Sequence, residues 1–207
     1  GELGADEPAV DAAFAAAELW GLGADDPELL QALGALGSDC PFFLAARASG
    51  IARCTGRGER VAPLPALALP WFLLLVTPAF GCATARVYAA LEPRVPDPAP
   101  RFEPELLLSG SLEDARGCIV NGLEAAALRS HPELAAFRAE LDDLAPGAFR
   151  LAGSGSSYFG FFADAHAAER VSTLLAARSE ARRYALRGRW VLPLCSRGLA
   201  RLDSNLH

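Results

Sequence analysis

Residues 149–164 read FRLAGSGSSYFGFFAD, in which a run of small residues separates two apolar segments. Phe149 to Ala152 is predicted to form a short strand, and Tyr158 to Phe162 is predicted to form a second one. Asp164 predicts the start of a helix that continues to Arg178. This order lacks the regular strand–helix alternation of a parallel sheet, and it therefore indicates the α+β class.

The small-residue run itself, Gly153-Ser154-Gly155-Ser156-Ser157, suits close approach of backbone N–H groups to an anion, because glycine tolerates unusual φ values. It is not a Walker A loop, since no Gly-Lys-Ser/Thr follows it. Two interpretations stay open from the residues alone. The run is a tight turn, or it is a loop that binds phosphate or substrate through Gly153, Ser154, Gly155 and Ser156.

Apolar periodicity and turn residues predict the remaining elements. Helices are predicted near residues 7–20, 26–34, 83–91, 119–129 and 132–144, and strands near 48–54, 60–64, 71–76 and 190–194. The turn residues Thr55-Gly56-Arg57-Gly58 predict that the first two strands form a hairpin. Residues 93–104 are rich in proline and are predicted to link a first domain, 1–92, to a second, 105–207.

The composition excludes several classes of protein. The chain has 207 residues, of which 52% are hydrophobic and 21% charged, and this excludes disorder. The net charge of −6 argues against a nucleic-acid partner. Prolines interrupt the most apolar stretch, residues 62–80, so we expect no membrane segment. The five cysteines form no C-x-x-C pair and the three histidines are scattered, which indicates a cytoplasmic protein without a zinc site.

The chain contains neither methionine nor lysine. The missing methionine suggests that this sequence is the C-terminal part of a longer protein. The missing lysine means that a mechanism requiring lysine cannot be complete within these residues.

Asp39 is the acidic residue in the stretch Leu36-Gly37-Ser38-Asp39-Cys40-Pro41-Phe42-Phe43. A carboxylate in a small-residue turn, anchored by the aromatic pair that follows, can accept a hydroxyl proton. Aspartate in this position is also typical of an N-cap, whose side chain bonds the helix that follows. The residues alone leave both roles open.

Two further sets of residues are candidate ligand contacts. Thr84 and Tyr88 lie at i, i+4 spacing on one helix face, where a hydroxyl and an aromatic ring can grip a planar base. The alternative is the edge of an amphipathic helix. Gly1 and Gly4 precede a helix N-terminus, a place where anions bind, although Asp6 and Glu7 would repel a phosphate there.

Five motifs, taken in their order along the chain, indicate a resemblance to a known family that no single motif is specific enough to establish. In this order along residues 20–160, they resemble the 4-diphosphocytidyl-2-C-methyl-D-erythritol kinase family, which belongs to the GHMP kinases. The motifs are Leu36-Gly37-Ser38-Asp39-Cys40-Pro41-Phe42-Phe43, Thr55-Gly56-Arg57-Gly58-Glu59, Val76-Thr77-Pro78 with Thr84-Ala85 and Tyr88, Asn121-Gly122-Leu123-Glu124, and Gly153-Ser154-Gly155-Ser156-Ser157 with Phe159-Gly160.

The resemblance implies two α+β lobes, a partial N-terminal lobe like domain 2 of ribosomal protein S5 and a ferredoxin-like C-terminal lobe. It also implies transfer of the ATP γ-phosphoryl, with Mg²⁺, to the 2-hydroxyl of 4-diphosphocytidyl-2-C-methyl-D-erythritol. This step belongs to the non-mevalonate route to isoprenoid precursors. Asp39 falls on the family's catalytic aspartate, and Thr84 and Tyr88 on its cytidine pocket. Residues 153–157 fall on the motif that closes over the phosphate region.

The sequence departs from the family pattern near its beginning. The family's first motif, with a lysine that pairs with the catalytic aspartate, has no counterpart in these residues. Without gaps, the ATP-phosphate loop of the family would fall on Gly1-Glu2-Leu3-Gly4-Ala5-Asp6-Glu7-Pro8, where acidic residues replace both serines. With a three-residue deletion, Asp11-Ala12-Ala13 would instead fall on the Asp-Ala-Ala end of that loop, which would still lack its glycine run. Three hypotheses follow: an active kinase, a non-catalytic relative that binds a nucleotide or a partner, and a GHMP kinase for another small alcohol.

Overall fold

The computed structural model describes residues 7–23, 25–46, 49–65, 71–92, 111–182 and 185–194. The chain divides into two compact units. The first contains residues 1–68 together with 195–207, and the second contains residues 69–194. The two predicted phosphate-loop residues Gly1 and Gly4 and the predicted linker 93–104 lie outside the described residues.

The first unit consists of three helices and a hairpin. The elements are α1 (Glu7–Trp20), α2 (Pro27–Leu36), α3 (Cys40–Ala45), β1 (Ala52–Thr55) and β2 (Arg60–Pro63). Asp26 is the N-cap of α2, and its Oδ1 accepts a hydrogen bond of 3.0 Å from the Leu29 N–H, which satisfies a backbone donor that the helix leaves free. The two strands are antiparallel, as the turn residues between them predicted. A small core holds the helices together: Ala17, Leu33, Cys40 and Leu44.

The second unit is a four-stranded antiparallel sheet with helices. Its elements follow the order β3 (Phe72–Pro78), α4 (Thr84–Ala89), α5 (Leu112–Cys118), α6 (Glu124–Ser130), α7 (Pro132–Leu144), β4 (Phe149–Leu151), β5 (Tyr158–Phe162), α8 (Ala165–Arg182) and β6 (Leu186–Pro193). The sheet order is β4-β5-β3-β6. Strands and helical segments therefore alternate as in a ferredoxin-like βαββαβ unit.

Burial on the sheet explains why β3 is the most apolar strand. It pairs on one side with β5 and on the other with β6, and Leu74 and Val76 are fully buried. The helix α8 contacts β3, β5 and β6, and α7 contacts both α6 and α8. The largest side chains of this core are Phe149 and Tyr158, both fully buried. None of the described helices is long and apolar enough to cross a membrane.

The α+β class is confirmed, and the local patterns located most elements. The helix predicted at 119–129 begins later, at Glu124, because the side-chain oxygen of Asn121 accepts the Leu123 N–H in a local turn. The last strand extends from Leu186 to Pro193, four residues earlier than its predicted start. The short helices α3 and α5 were not predicted.

The compact units divide at residue 68, not within the proline-rich segment. The reason is the pairing of β3, which lies between β5 and β6 and so belongs to the sheet of the second unit. The first strand of the ferredoxin-like unit therefore comes from residues 72–78, which the sequence assigned to the first domain.

The position of Gly160 has no room for a side chain, because the ring of its cross-strand neighbour Phe149 occupies that space. A Cβ at this position would lie 2.9 Å from Phe149 Cδ1 and 3.2 Å from Phe162 Cε2. We expect Gly160→Ala to lower the free energy of unfolding by about 1–3 kcal/mol, the usual cost of overpacking a core. Urea denaturation of the variant and the wild-type protein measures this difference.

The matched control is Gly117→Ala in α5, where no heavy atom lies within 4 Å of the added methyl group. Alanine is favoured over glycine in a helix by about 1 kcal/mol, so this variant should be at least as stable as the wild type. Equal stability of the Gly160→Ala variant and the wild type would contradict the packing described for the sheet.

Candidate active site

The carboxylate of Asp39 stands at the junction of two helices in the first unit. The helix α2 ends at Leu36 and α3 begins at Cys40, so Asp39 occupies the N-cap position of α3. Its side chain makes no capping hydrogen bond, and its Oδ1 instead accepts one of 3.2 Å from Ser38 Oγ. The residue is exposed. The capping interpretation is therefore wrong, and the carboxylate is directed to neither helix.

The hairpin turn of the same unit lies directly beside Asp39. Gly58 has a φ of +122°, and a Cβ there would lie 3.2 Å from Asp39 Oδ1 and 3.2 Å from the Ser38 carbonyl oxygen. The Arg57 N–H donates to Glu59 Oε2 over 2.6 Å, which closes the turn. Hydrogen bonds from its own backbone N–H and from the Arg57 N–H lower the pKa of Glu59. The motif Thr55–Glu59 thus forms a tight turn against Asp39.

The thiol of Cys54 also lies close enough to sense the charge of Asp39. Burial first, and then the charge of Asp39, raise the pKa of this thiol above its usual range. The thiol therefore stays protonated at neutral pH and adds no second negative charge beside the carboxylate.

In the second unit, the two predicted ligand motifs contact each other. Thr84 is the first residue of α4, and its Oγ1 shares a hydrogen bond of 2.9 Å with Ser154 Oγ in the glycine–serine loop 153–157. Tyr88 lies one turn later on the same helix and is 56% exposed. The inner face of α4 is held by the fully buried Val87. The ring of Tyr88 is thus available for contact with a ligand.

The glycine–serine loop is also anchored to the end of β3. Ser157 Oγ shares a hydrogen bond of 2.9 Å with Thr77 Oγ1, and Ser156 Oγ donates one of 2.6 Å to the Phe80 carbonyl oxygen. Gly155 has a φ of +93°, and a Cβ there would lie 3.2 Å from Cys82 Sγ. The loop therefore packs closely on the chain segment between β3 and α4.

Asn121 is a contact of this loop that the residue patterns did not single out as a site residue. Its Nδ2 donates hydrogen bonds to the carbonyl oxygens of Leu151, over 2.9 Å, and Gly153, over 2.7 Å. Asn121 belongs to the motif Asn121-Gly122-Leu123-Glu124, which indicated the family resemblance but no role for this residue. Asparagine is typical of positions where one side chain bonds several backbone groups.

A separate open cleft of about 460 Å³ lies between the segment that leads into α6 and the helix α7. Glu124 and Arg138 line it, and the Arg138 guanidinium is 3.5 Å from Glu124 Oε1. The hydroxyl of the buried Tyr158 has no hydrogen-bond partner, and burial, followed by the charge of Glu124, raises its pKa. None of the predicted site residues that the structure describes lines this cleft.

Most of the predicted site residues have a described location. The second unit joins Thr84 to Ser154 and holds Gly153, Gly155 and Ser156 in the same loop, whereas Asp39 belongs to the first unit. Within the ranges that the structure describes, no three His, Cys, Asp or Glu side chains group as a metal site would require. Mg²⁺ carried by nucleotide phosphates needs only one or two carboxylates, so this finding does not conflict with its use.

Comparisons with known proteins agree with these motifs. Residues 105–179 match the family described as GHMP kinases C terminal. The 4-diphosphocytidyl-2-C-methyl-D-erythritol kinase of Pelotomaculum thermopropionicum is 34% identical over 174 residues, which cover 82% of this chain and 58% of that protein. The enzyme of the same name from Moorella thermoacetica is 37% identical, with 76% of this chain and 55% of that protein covered. The chain thus spans somewhat more than half the length of these relatives.

Solved structures have the same fold. A crystal structure of 4-(cytidine 5'-diphospho)-2C-methyl-D-erythritol kinase matches with a TM-score of 0.64 and 29% identity, over 90% of this chain and 63% of that one. Homoserine kinase from Cytophaga hutchinsonii matches with a TM-score of 0.60 at 17% identity, over 88% of this chain and 62% of that one, a likeness of fold alone. Residues 105–179 therefore belong to the family of GHMP kinase C-terminal domains, and the chain as a whole is similar in sequence and fold to GHMP kinases.

Proposed function

We propose that the protein transfers the γ-phosphoryl group of ATP to the 2-hydroxyl of 4-diphosphocytidyl-2-C-methyl-D-erythritol, and that it does so in the cytoplasm. The observation that carries the proposal is the hydrogen bond between Thr84 and Ser154. It joins the helix assigned to the cytidine group with the loop assigned to the phosphate region. Relatives named as kinases for this substrate, at 34% and 37% identity, support the same choice.

Tyr88 is proposed to stack on the cytosine ring, with Thr84 beside it. The ring is exposed on α4, and its helix is fixed to the core through Val87. An exposed aromatic ring on an anchored helix is suited to stacking on a base, because a tyrosine side chain has few rotatable bonds and loses little freedom on binding. The hydroxyl of Thr84 would hold the base edge or orient the loop through Ser154.

The glycine–serine loop is proposed to contact the phosphate groups through its backbone. Ser154, Ser156 and Ser157 each have a protein partner for the side-chain oxygen. Backbone N–H groups in a glycine-rich turn form a concave site that favours anions. Mg²⁺ would arrive bound to ATP and would neutralise charge on the transferred group, and no described residue is assigned to it.

Asp39 is proposed to accept the proton of the attacking hydroxyl. Its carboxylate is exposed and makes no helix cap, and the tight turn at Gly58 limits its position. Removal of the proton yields an alkoxide-like oxygen that attacks the γ-phosphorus as the bond to ADP breaks. In such reactions most of the rate increase comes from orientation and charge stabilisation, so the aspartate need supply only part of it.

The acidic residues of the segment 1–8 favour a second candidate function. Asp6 and Glu7 stand where the family's loop has neutral residues that meet phosphate oxygens. A non-catalytic relative would bind the cytidine nucleotide without phosphoryl transfer. An assay with ATP and 4-diphosphocytidyl-2-C-methyl-D-erythritol separates the two, since formation of ADP and phosphorylated product supports the kinase. Binding of the substrate without any ADP release would instead favour the non-catalytic relative.

Replacing Asp39 with asparagine tests the proton acceptor while it preserves the shape of the side chain. We expect Asp39→Asn to lower kcat by about 100- to 10,000-fold, the range of general acid–base catalysis, and to leave ATP binding unchanged. Steady-state kinetics and calorimetric titration with ATP measure the two quantities. Asp26→Asn is the matched control, because it removes a charge from the same unit and asparagine can still cap α2. A near-normal kcat of Asp39→Asn would contradict the assignment.

Removing the aromatic ring of Tyr88 tests the stacking contact. We expect Tyr88→Ala to weaken binding of the cytidine substrate by about 1–3 kcal/mol, the value typical of base–aromatic stacking. Tyr88→Phe keeps the ring and should bind nearly as well as the wild type. Calorimetric titration with the substrate compares the three proteins. If Tyr88→Ala binds the substrate as tightly as the wild type, Tyr88 has only a surface role on α4.

A further inference from the structure

The side-chain amide of Asn121 uses all of its hydrogen-bonding groups on backbone atoms. Nδ2 donates to two carbonyl oxygens, those of Leu151 at 2.9 Å and Gly153 at 2.7 Å. Oδ1 accepts the Leu123 N–H at 2.9 Å. Two acceptors on one side and a donor on the other allow only one orientation of the amide. The side chain is therefore fixed in place by its partners.

These contacts connect a rigid helix to the first turn of the glycine–serine loop. Leu123 immediately precedes α6, whose Ala126 and Ala127 are buried in the core. Leu151 is the last residue of β4 and is buried, whereas Gly153 starts the loop with a φ of +55°. Asn121 thus holds the end of a core strand and the start of the loop at a set distance from each other.

The loop is held from two different segments. The serine hydroxyls are bonded to the stretch that runs from the end of β3 to the start of α4, through Thr77, Phe80 and Thr84. Asn121 bonds main-chain carbonyls, not side chains, and it does so from the segment before α6. The backbone N–H groups between these anchors are the ones assigned to phosphate, except that of Gly155, which donates to the Ala152 carbonyl oxygen. Because the C=O and N–H groups of one peptide unit share a plane, fixing the Leu151 and Gly153 carbonyl groups also fixes the direction of the N–H groups of the residues that follow them.

We propose that Asn121 is a positioning residue that orients the glycine–serine loop for phosphoryl transfer. The expected effect of Asn121 on the reaction rate rests on the proposed function. Its effect on the conformation of the loop does not. Asn121 is assigned no contact with the substrate or the reacting atoms, and it acts through the backbone of residues 151–153.

Asn121→Asp is the sharpest test, because it keeps the acceptor for the Leu123 N–H and replaces the donor with an oxygen. That oxygen would face the carbonyl oxygens of Leu151 and Gly153 and would repel them. In the complete protein we expect kcat to fall by about 100-fold, the cost of a misplaced reacting group, while KM for the cytidine substrate stays close to the wild-type value. Tyr88 and its helix make no described contact with Asn121, which is why binding of the base should survive.

Hydrogen–deuterium exchange gives a readout that does not require activity. The Ala152 N–H donates to the Ser157 carbonyl oxygen and the Gly155 N–H to the Ala152 carbonyl oxygen, so both report on loop opening. We expect these two amides to exchange at least about tenfold faster in Asn121→Asp, the effect of losing one backbone contact. Asn121→Ala removes the donor without introducing repulsion and should also speed the exchange of these two amides. It replaces Asn121→Asp in the test if the aspartate variant does not fold.

Val120→Ala is the matched control, because Val120 is the neighbouring residue and is 63% exposed. It should leave kcat and loop exchange at wild-type values. Unchanged loop exchange in both Asn121 variants would overturn the inference, as would faster exchange with unchanged kcat in an active enzyme. If the wild-type protein forms no product while the variants still loosen the loop, the proposed function fails and the structural role of Asn121 stands.

Discussion

Pairing of β3 with β5 is the interaction on which the site of the second unit depends. The register sets Val76 opposite Tyr158, and the strands are antiparallel. The end of β3 therefore lies beside the start of β5, where Thr77 meets Ser157. The segments that continue from these strand ends stay close, so Thr84 reaches Ser154. A register shift of one residue would turn every side chain of the shifted strand to the opposite face and would separate these contacts.

Local patterns predicted those elements whose periodicity is strong within a few residues. The helix Pro132–Leu144 and the strand Tyr158–Phe162 have the predicted bounds. The short helix α5 was missed, although Ser111 caps it by accepting the Asp114 N–H, a spacing that is a known helix-start signal. The start of α6 was misplaced because one asparagine side chain competes with the helix for a backbone N–H. Such competition comes from a local side-chain hydrogen bond, which the periodicity of apolar residues does not reveal.

The chemistry of the site was partly visible in the residue types, but its geometry was not. Thr84 and Ser154 are 70 positions apart, and only the sheet register brings them together. The role of Asp39 could not be decided from spacing, because an aspartate before a short helix is a normal cap. The structure separates the cases within the same unit. Asp26 caps its helix with a bond of 3.0 Å, whereas Asp39 makes no such bond and faces the turn at Gly58.

The partners of the serine hydroxyls determine how the glycine–serine loop can recognise a ligand. Ser156 is buried and donates to a backbone carbonyl, and Ser154 and Ser157 are each paired with a threonine. A phosphate that took these hydroxyls would have to break bonds that hold the loop to β3 and α4. The Gly155 N–H is likewise bonded, to the Ala152 carbonyl oxygen, but the other backbone N–H groups of a glycine-rich turn can be presented to an anion without moving a side chain. The serines therefore serve the shape of the loop, and the proposed recognition of an anion falls to the main chain that Asn121 and the two threonines hold in position.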